Sequence, residues 1–438
     1  MKINLHSLPC LFVCLALLMT SAFSSAAQEN DDDQGFVEYH ISRHLFEGQK
    51  DGQTLCLFLE RIGPNVLGQL WPSQASCDTQ TAPVNLLQGL GLVKGTWDSA
   101  GHILLTIETM QDTEIQSATW RLVAQTQEGG RLISLQAANT PSSLLFQEIK
   151  PAPGAPRLPY RMAIVMTGSI SDPRACDDDP PTITAIRLYR EQELVQELAT
   201  ESDGTCAGYT PQTADLNFDG YDDLMIMTSL PISPNIPYQY WLYNPQTGLF
   251  EDAPQSLQMV TSPGIDSTHQ QIYSFWRAGA TSHGVDVYRW QTRNGQPELE
   301  LFDQASSYFM PVRSDGQISY CYTTPQYDHD TGTLAFSRMV VERPDGTLTY
   351  TGQPQDMQDC EDEFISSPAP EIVIWRQTPQ GWQIQKAYPY EWVQEMRDGS
   401  SYWYPKIPYY DTDAHRISWY IDHSAEVDAN PLAAHEGE

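Results

Sequence analysis

The chain has few basic residues and no long apolar run after its N-terminus, and both shortages limit what it can do. Its 438 residues include 24 lysines and arginines against 56 aspartates and glutamates, for a formal net charge of −32. Such a surface repels nucleic acid and anionic lipid and favours metal ions and cationic proteins. Beyond the first 27 residues, no stretch reaches the roughly 18 apolar residues that a membrane helix needs. We therefore expect no nucleic-acid partner and no insertion into a membrane.

Motifs of several enzyme classes are missing as well. The sequence has no Gly-x-Ser-x-Gly nucleophile elbow and no phosphate-binding Gly-Lys-Ser/Thr loop. His40 and His44 have the spacing of a zinc-protease helix but lack its adjacent glutamate, so surface histidines are the better interpretation. Paired carboxylates are too abundant to locate a glycosidase-like pair. The sequence therefore predicts a protein that is not an enzyme.

The first 27 residues have the pattern of a secretory signal. Lys2 precedes an apolar stretch at 8–19, and small residues end at Ala27, where we expect cleavage. This predicts export to the periplasm. Six cysteines remain, and an even number in an exported chain predicts disulfides, although sequence alone does not select one pairing. Their grouping into three couples suggests Cys56 with Cys77, Cys176 with Cys206, and Cys321 with Cys360.

Short runs rich in Tyr, Trp, Thr, Val and Ile predict an all-β protein. Glycines and prolines interrupt these runs, and long helical periodicity is absent. Repeated strand–turn–strand units indicate antiparallel sheets in a propeller-like or stacked arrangement. In 238–243, Tyr238 and Tyr240 share one face and Trp241 and Tyr243 the other, which predicts a strand buried between sheets.

Composition shifts divide the chain into seven segments. The Pro-rich stretch around 151–156 is the clearest boundary. We predict a signal peptide at 1–27, a disordered leader at 28–35, an N-terminal β module at 36–150, a linker at 151–159, a second β module at 160–310, a C-terminal β extension at 311–425 and a disordered tail at 426–438.

Residues 215–223 read Asp-Leu-Asn-Phe-Asp-Gly-Tyr-Asp-Asp and form the most informative motif. Oxygen-bearing side chains at alternate positions and a glycine at the turn are the hard-oxygen set that Ca²⁺ prefers. A plain Asp-Gly turn is the alternative interpretation. The predicted calcium ligands are the side chains of Asp215, Asn217, Asp219 and Asp223 and the backbone carbonyl of Tyr221. Because the twelfth position is Ile226 rather than a bidentate glutamate, the loop should close at its ninth residue and continue into a strand.

Four sequence blocks between 213 and 290 carry a family resemblance. They are the acidic motif at 215–224, Tyr-Trp-Leu-Tyr-Asn-Pro-Gln-Thr-Gly-Leu-Phe at 240–250, Ile-Tyr-Ser-Phe-Trp-Arg-Ala-Gly at 272–279, and Asp-Val-Tyr-Arg-Trp at 286–290. In this order they resemble a family of exported bacterial β-proteins related to periplasmic lysozyme inhibitors, some of which are immunity proteins against lysozyme-like toxins. The resemblance implies calcium held by the 215–223 loop, and binding rather than catalysis.

The expected function is therefore inhibition of, or immunity against, a cationic lysozyme-like enzyme. Ser400, Ser401 and Tyr402 resemble the Ser/Gly-plus-Tyr loops of lysozyme inhibitors and are the partner-binding candidates. Prolines interrupt the aromatic residues at 402–410, which predicts an exposed aromatic loop. Because exposed Tyr and Trp also stack on sugars, a glycan-binding or envelope-structural module is the alternative. A hydrolase is the third hypothesis.

Overall fold

The computed structural model describes residues 35–73, 77, 91–97, 103–111, 114–127, 130–137, 143–149, 159–168, 181–203, 210–231, 233–293, 295–352, 360–361, 369–379, 381–427 and 430–431. The predicted signal peptide lies outside these residues, as do nearly all of the leader, the linker and the tail. The predicted pair Cys176 and Cys206 also lies outside them.

The all-β prediction is confirmed, since 69% of the described residues lie in strands and 1% in a helix. The described helix is the short α1, Gln255–Gln258. No helix in the described part of the chain is long and apolar enough to cross a membrane.

The N-terminal half forms one sheet of eleven strands. These are β1 (Val37–Lys50), β2 (Gln53–Ile62), β3 (Asn65–Ser73), β4 (Gly91–Trp97), β5 (Ile103–Gln111), β6 (Glu114–Gln127), β7 (Gly130–Ala137), β8 (Ser143–Glu148), β9 (Arg161–Met166), β10 (Ile183–Arg190) and β11 (Glu193–Ser202). Consecutive strands pair from β1 to β8, and β8 returns to pair with β1 at residues 46–48. Strand β9 pairs with β1 at residues 37–41. The pairing of β1 with β9 therefore joins the predicted N-terminal module to the predicted second module, which lie on either side of the predicted linker.

Two four-stranded antiparallel meanders follow. The first, the central sheet, comprises β12 (Gln212–Ala214), β13 (Asp223–Met227), β14 (Tyr238–Asn244) and β15 (Leu249–Asp252). The second comprises β16 (Pro263–Asp266), β17 (Gln271–Arg277), β18 (His283–Arg293) and β19 (Gln296–Ser306).

The C-terminal part contains three further sheets. Their strands are β20 (Tyr308–Ser314), β21 (Gln317–Thr323), β22 (Pro325–Asp328), β23 (Thr333–Phe336), β24 (Val340–Glu342), β25 (Leu348–Tyr350), β26 (Cys360–Glu361), β27 (Glu371–Thr378), β28 (Gly381–Pro389), β29 (Glu391–Arg397), β30 (Ser400–Asp411) and β31 (Arg416–Ile421). One sheet has the order β26-β21-β20-β30-β29, with β31 also on β30; another has the order β25-β24-β27-β28; β22 and β23 form a hairpin. Most pairs are antiparallel, and β20–β30 and β24–β27 are parallel.

Shared hydrophobic cores join these sheets, and the central sheet is buried on both faces. Leu224 and Trp241 belong to a core with β9 and β10, while Met225 and Tyr240 belong to a core with α1, β17 and β19. The side chains alternate because successive residues of a strand point to opposite faces. The prediction that 238–243 is a strand buried between sheets is confirmed. Over the described residues the sheets do not show a propeller.

Two of the three suggested disulfides are confirmed. Cys56 bonds to Cys77, and Cys321 bonds to Cys360. The first lies against the buried Trp71, and the second ties β21 to the short strand β26. Each bridge closes a loop and so lowers the conformational entropy of the unfolded chain.

Candidate functional site

The candidate site is the acidic loop, residues 215–223, which connects β12 to β13. The two strands pair up to Ala214 and Asp223, so the loop closes a hairpin and runs directly into the buried strand, as the sequence predicts. Leu216 is fully buried in the core beneath the loop, and Trp290 donates a hydrogen bond from Nε1 to its carbonyl at 2.7 Å. The loop is therefore anchored to the meander of β16–β19 as well as to its own sheet.

The polar side chains of the loop turn inward onto its backbone. Asp215 accepts hydrogen bonds from the N–H groups of Asp219, at 3.0 Å, and Gly220, at 2.9 Å. Asn217 accepts from the same Asp219 N–H at 3.1 Å, and Asp219 accepts from the N–H of Tyr221 at 2.9 Å. The oxygens of three predicted ligands thus face the inside of one turn.

The turn requires left-handed backbone at two positions. Gly220 has a φ of 89° and Phe218 a φ of 59°. Glycine adopts this conformation without steric cost, whereas a Cβ makes it unfavourable. This explains the glycine within the acidic motif.

Asp223 has a second role that the sequence did not reveal. Its side chain is 0% exposed, and its two oxygens accept hydrogen bonds from the N–H groups of Leu216 and Tyr243, each at 2.8 Å. Burial raises its pKa to about 7, although the two N–H groups act in the opposite direction. Asp223 therefore ties the acidic loop to β14, and its place among the metal ligands stays a prediction. The signal for this tie is an acid at the start of an apolar strand.

The rest of the loop concentrates negative charge. Burial raises the pKa of Asp215, and the charge of Asp219 adds to that rise. Burial also raises the pKa of Asp222, which the predicted ligand set did not include, and the charge of Asp215 contributes. A bound cation would offset this repulsion, because an opposite charge favours the ionised carboxylate.

The donor types of the loop match calcium, although acidic side chains alone do not form a metal centre. Among the described residues, no group of three or more His, Cys, Asp or Glu side chains is placed to hold a metal ion. The predicted set has three carboxylates, the Asn217 amide and the Tyr221 carbonyl, and the structure brings Asp215, Asn217 and Asp219 together inside the turn while both oxygens of Asp223 accept backbone N–H groups. All of these are oxygen donors, and each carboxylate oxygen has a second lone pair besides the one that accepts an N–H. The residues therefore fit a calcium ion in donor chemistry.

The partner-binding candidates Ser400, Ser401 and Tyr402 lie in strand β30, not in a loop. β30 pairs with β29 from Ser400 onward, and the turn between the two strands is Asp398–Gly399, with φ values of 53° and 82°. Ser401 accepts a hydrogen bond from Gln394 at 2.8 Å. Ser400 is exposed, whereas Tyr402 is half-buried and lies under the guanidinium of Arg397.

The prediction of an exposed aromatic loop at 402–410 is wrong. Tyr404 and Tyr410 are 0% and 1% exposed, and Tyr409 is also buried. The prolines are compatible with a strand because β30 changes partners along its length. Pro405 pairs with β29, and its carbonyl also accepts a hydrogen bond from the N–H of Asp422 on the opposite edge, whereas Pro408 pairs with β31 alone. The aromatic residues that motivated the glycan-binding alternative therefore belong largely to the interior.

His44 is not a surface histidine, which corrects the interpretation given to the pair His40 and His44. The side chain of His40 is 59% exposed, but that of His44 is 18% exposed. The Nδ1 of His44 lies 2.7 Å from Glu148 Oε1, and its Nε2 lies 3.2 Å from Ser42 Oγ. Because Glu148 follows His44 by 104 residues, no local spacing indicated this set.

Comparison with known proteins identifies only part of the chain. Residues 309–430 match the model of a family described as a domain of unknown function, DUF8339. No curated protein matches the chain. The matched region covers β30 and most of the C-terminal sheets, whereas the acidic loop lies before it.

The tie made by Asp223 gives a direct prediction. Asp223→Ala removes the acceptor of two buried N–H groups, and we expect the free energy of unfolding to fall by roughly 2–4 kcal/mol, measured by urea denaturation in EDTA. Asp252→Ala, which removes an exposed acid from the same sheet, is the matched control and should change stability by less than about 0.5 kcal/mol. Equal stability of the two variants would contradict the tie.

Proposed function

We propose that this chain is an exported, calcium-stabilised binding protein that inhibits, or gives immunity against, a lysozyme-like peptidoglycan-cleaving enzyme. The observation that carries the proposal is the position of the acidic loop, which leads into a strand buried on both faces. An ion in this loop would hold β12, β13 and β14 together. The loop thus acts as a clamp on the scaffold, and the partner binds elsewhere.

Calcium is the ion that this loop would bind best. The donors are carboxylate, amide and carbonyl oxygens, which suit hard cations, and the flexible geometry of a single loop suits Ca²⁺ better than the strict octahedron of Mg²⁺. The ion supplies charge neutralisation. The chain supplies the turn that brings Asp215, Asn217 and Asp219 together.

The calcium clamp predicts a metal-dependent melting temperature. A ligand present at about 100 times its dissociation constant adds roughly 2.7 kcal/mol to stability, so the protein should melt several degrees higher in calcium than in EDTA. The double variant Asp215→Ala/Asp219→Ala should lose this difference in differential scanning calorimetry.

The matched control for the clamp is Asp328→Ala/Asp330→Ala. These substitutions remove two carboxylates from the turn between β22 and β23, where Asp328 also accepts a hydrogen bond from a backbone N–H group. The control should keep the calcium response. If the Asp215/Asp219 double variant kept the response too, the acidic loop would not be the site.

Charge supports the choice of partner. A net charge of −32 favours a basic protein, and complementary charge speeds association in a manner that falls with salt. The four sequence blocks that resemble lysozyme inhibitors supply the specific class. In the structure these blocks lie in the central sheet and in the meander of β16–β19, which form one continuous scaffold.

The inhibition hypothesis is tested with a panel of purified cationic lysozymes. We expect a complex in size-exclusion chromatography and slower cell-wall lysis with at least one of them, with association weakening as salt rises. A basic cytochrome c controls for charge alone. Failure to bind or inhibit every lysozyme, or equal binding of the cytochrome, would overturn the hypothesis.

A second candidate function, hydrolysis, has an observation of its own in Ser42, His44 and Glu148. With the proton on Nδ1, where it faces the Glu148 carboxylate, His44 has Nε2 available as acceptor for the Ser42 hydroxyl. A hydroxyl, a base within hydrogen-bond reach and an acid that orients the base are the parts of an activated serine. Arg61 lies opposite Ser42 in the strand register and could stabilise an oxyanion.

The chemistry of this set would be acyl transfer to water. Ser42 Oγ would bond to an ester carbonyl carbon while its proton passes to His44 Nε2, and Glu148 would stabilise the imidazolium. The bond between the carbonyl carbon and the ester oxygen would then break, and the departing alkoxide would take the proton from His44 Nε2. Water would then cleave the acyl-serine by the same route and restore the hydroxyl.

Covalent labelling decides between hydrolysis and a structural hydrogen-bond network. If the set is an active centre, a fluorophosphonate probe should label the protein, Ser42→Ala should abolish the label, and His44→Ala should slow labelling by roughly 100-fold or more. His40→Ala, on the same strand, is the control and should label normally. No label on the unmodified protein, or a label that survives Ser42→Ala, would rule out this function.

A further inference from the structure

A separate cavity lies in the C-terminal part of the chain. It has a volume of about 650 Å³ and lies between the junction of β19 and β20, the hairpin strand β23, and the strands β27 and β28. This volume is within the range of small-molecule sites, which is roughly 300–1,000 Å³. Phe336, Trp375 and Trp382 contribute aromatic walls. The cavity is thus large enough for an organic ligand.

Two buried polar groups of the lining lack hydrogen bonds. Tyr308 is 3% exposed and Trp375 is 5% exposed. Neither the Tyr308 hydroxyl nor the Trp375 indole N–H makes a hydrogen bond of good geometry with a described residue, although the Trp375 N–H lies close enough to Tyr308 to act against the rise of its pKa. Buried polar groups without partners are uncommon and indicate a bound water, ion or ligand.

The charged groups of the cavity are all acidic. Glu371 and Asp303 line it, and no lysine, arginine or histidine is among the described lining residues. Burial raises the pKa of Glu371, and burial, with a smaller effect of the Glu371 charge, raises the pKa of Tyr308. Burial likewise raises the pKa of Asp303, although the charge of Arg289 partly offsets the effect. Glu371 therefore has no cationic group beside it in the described lining, whereas Asp303 is partly compensated by Arg289, which lies outside the lining.

These features select one class of ligand. An anion would be repelled by the two acids, and an apolar molecule would leave the Glu371 carboxylate desolvated without compensation. Water alone would form hydrogen bonds with the polar groups but would make no favourable contact with the aromatic side chains of the lining. An ammonium group can pair with a carboxylate and also lie against an aromatic face, and an apolar body fills the rest of the space.

We propose that this cavity binds a small organic amine, with the ammonium group at Glu371 and the apolar body against Phe336, Trp375 and Trp382. The Tyr308 hydroxyl oxygen can accept a hydrogen bond from the ammonium group, whereas the Trp375 N–H is itself a donor and contributes only the face of its ring. The site is independent of the acidic loop and of any lysozyme-like partner. Much of its lining lies in the region that matches the family of unknown function.

The test compares two probes of nearly equal shape by isothermal titration calorimetry. Phenethylamine carries the ammonium, and 2-phenylethanol replaces it with a hydroxyl. We expect phenethylamine to bind at least tenfold more tightly to the unmodified protein and to change tryptophan fluorescence. In Glu371→Gln the preference should fall to within about twofold. Glu342→Gln removes an acid that pairs with Arg376 and does not line the cavity, and should keep the preference.

A variant at the entrance of the cavity tests the proposal even if Glu371→Gln does not fold. Ile384 lines the cavity and is 59% exposed, so Ile384→Lys should fold and place a competing ammonium at the entrance. We expect it to weaken phenethylamine binding by about tenfold. Met396→Lys adds the same charge at an exposed position outside the lining and should not. Three results would overturn the proposal and show a cavity that holds water only. They are the absence of saturable binding, equal affinity of the unmodified protein for both probes, and a Glu371→Gln preference and an Ile384→Lys affinity that both match the unmodified protein.

Discussion

Burial of the central sheet on both faces is the constraint on which the rest of the structure depends. In β13, Leu224 and Ile226 face the core shared with β9 and β10, while Met225 faces the core shared with α1, β17 and β19. A strand in this position has no solvent face, so its polar backbone must be satisfied by neighbouring strands alone. Asp223 begins this strand and accepts two further N–H groups where the ladder starts. The acidic loop, the N-terminal sheet and the meander of β16–β19 therefore share one stabilising element.

A shortage of basic residues shapes how the protein accommodates its buried acids. Asp223, Asp266 and Asp411 are each at most 5% exposed, and each accepts hydrogen bonds from backbone N–H groups next to a strand end. The N–H of Ala414 holds the pKa of Asp411 below its usual value. Backbone N–H groups are thus the partners that these three acids share, while Asp266 and Asp411 also lie beside His269 and Arg313. Glu371 lacks such a partner, which is why its cavity differs from the other acidic positions.

Local patterns predicted the elements whose residues are close in sequence. The alternation of tyrosines and tryptophan in 238–243 identified β14 and its two buried faces, and the acidic motif identified a loop that closes into a strand. The same reasoning failed at 402–410, because Pro405 and Pro408 were taken to interrupt a strand. A proline removes only its own N–H from the ladder of hydrogen bonds, so it disrupts a strand only where that N–H would be paired, and the pairing of β30 is a property of the assembled sheets.

The sequence by itself determined the all-β class and the composition of the acidic loop, since each follows from residue type and short spacing. The grouping of the cysteines suggested the two observed disulfide pairs but did not determine them. Only the tertiary structure decided which side chains meet over long distances. Glu148 reaches His44 because β8 returns to β1, and Tyr308 lies within the range of the Glu371 charge because β20 and β27 enclose one core. Such contacts depend on strand order, which residue spacing does not encode. The tertiary structure also gave the acids of the loop different roles. Asp223 is buried and accepts hydrogen bonds from the N–H groups of Leu216 and Tyr243, whereas Asp215 and Asp219 lie nearer the surface.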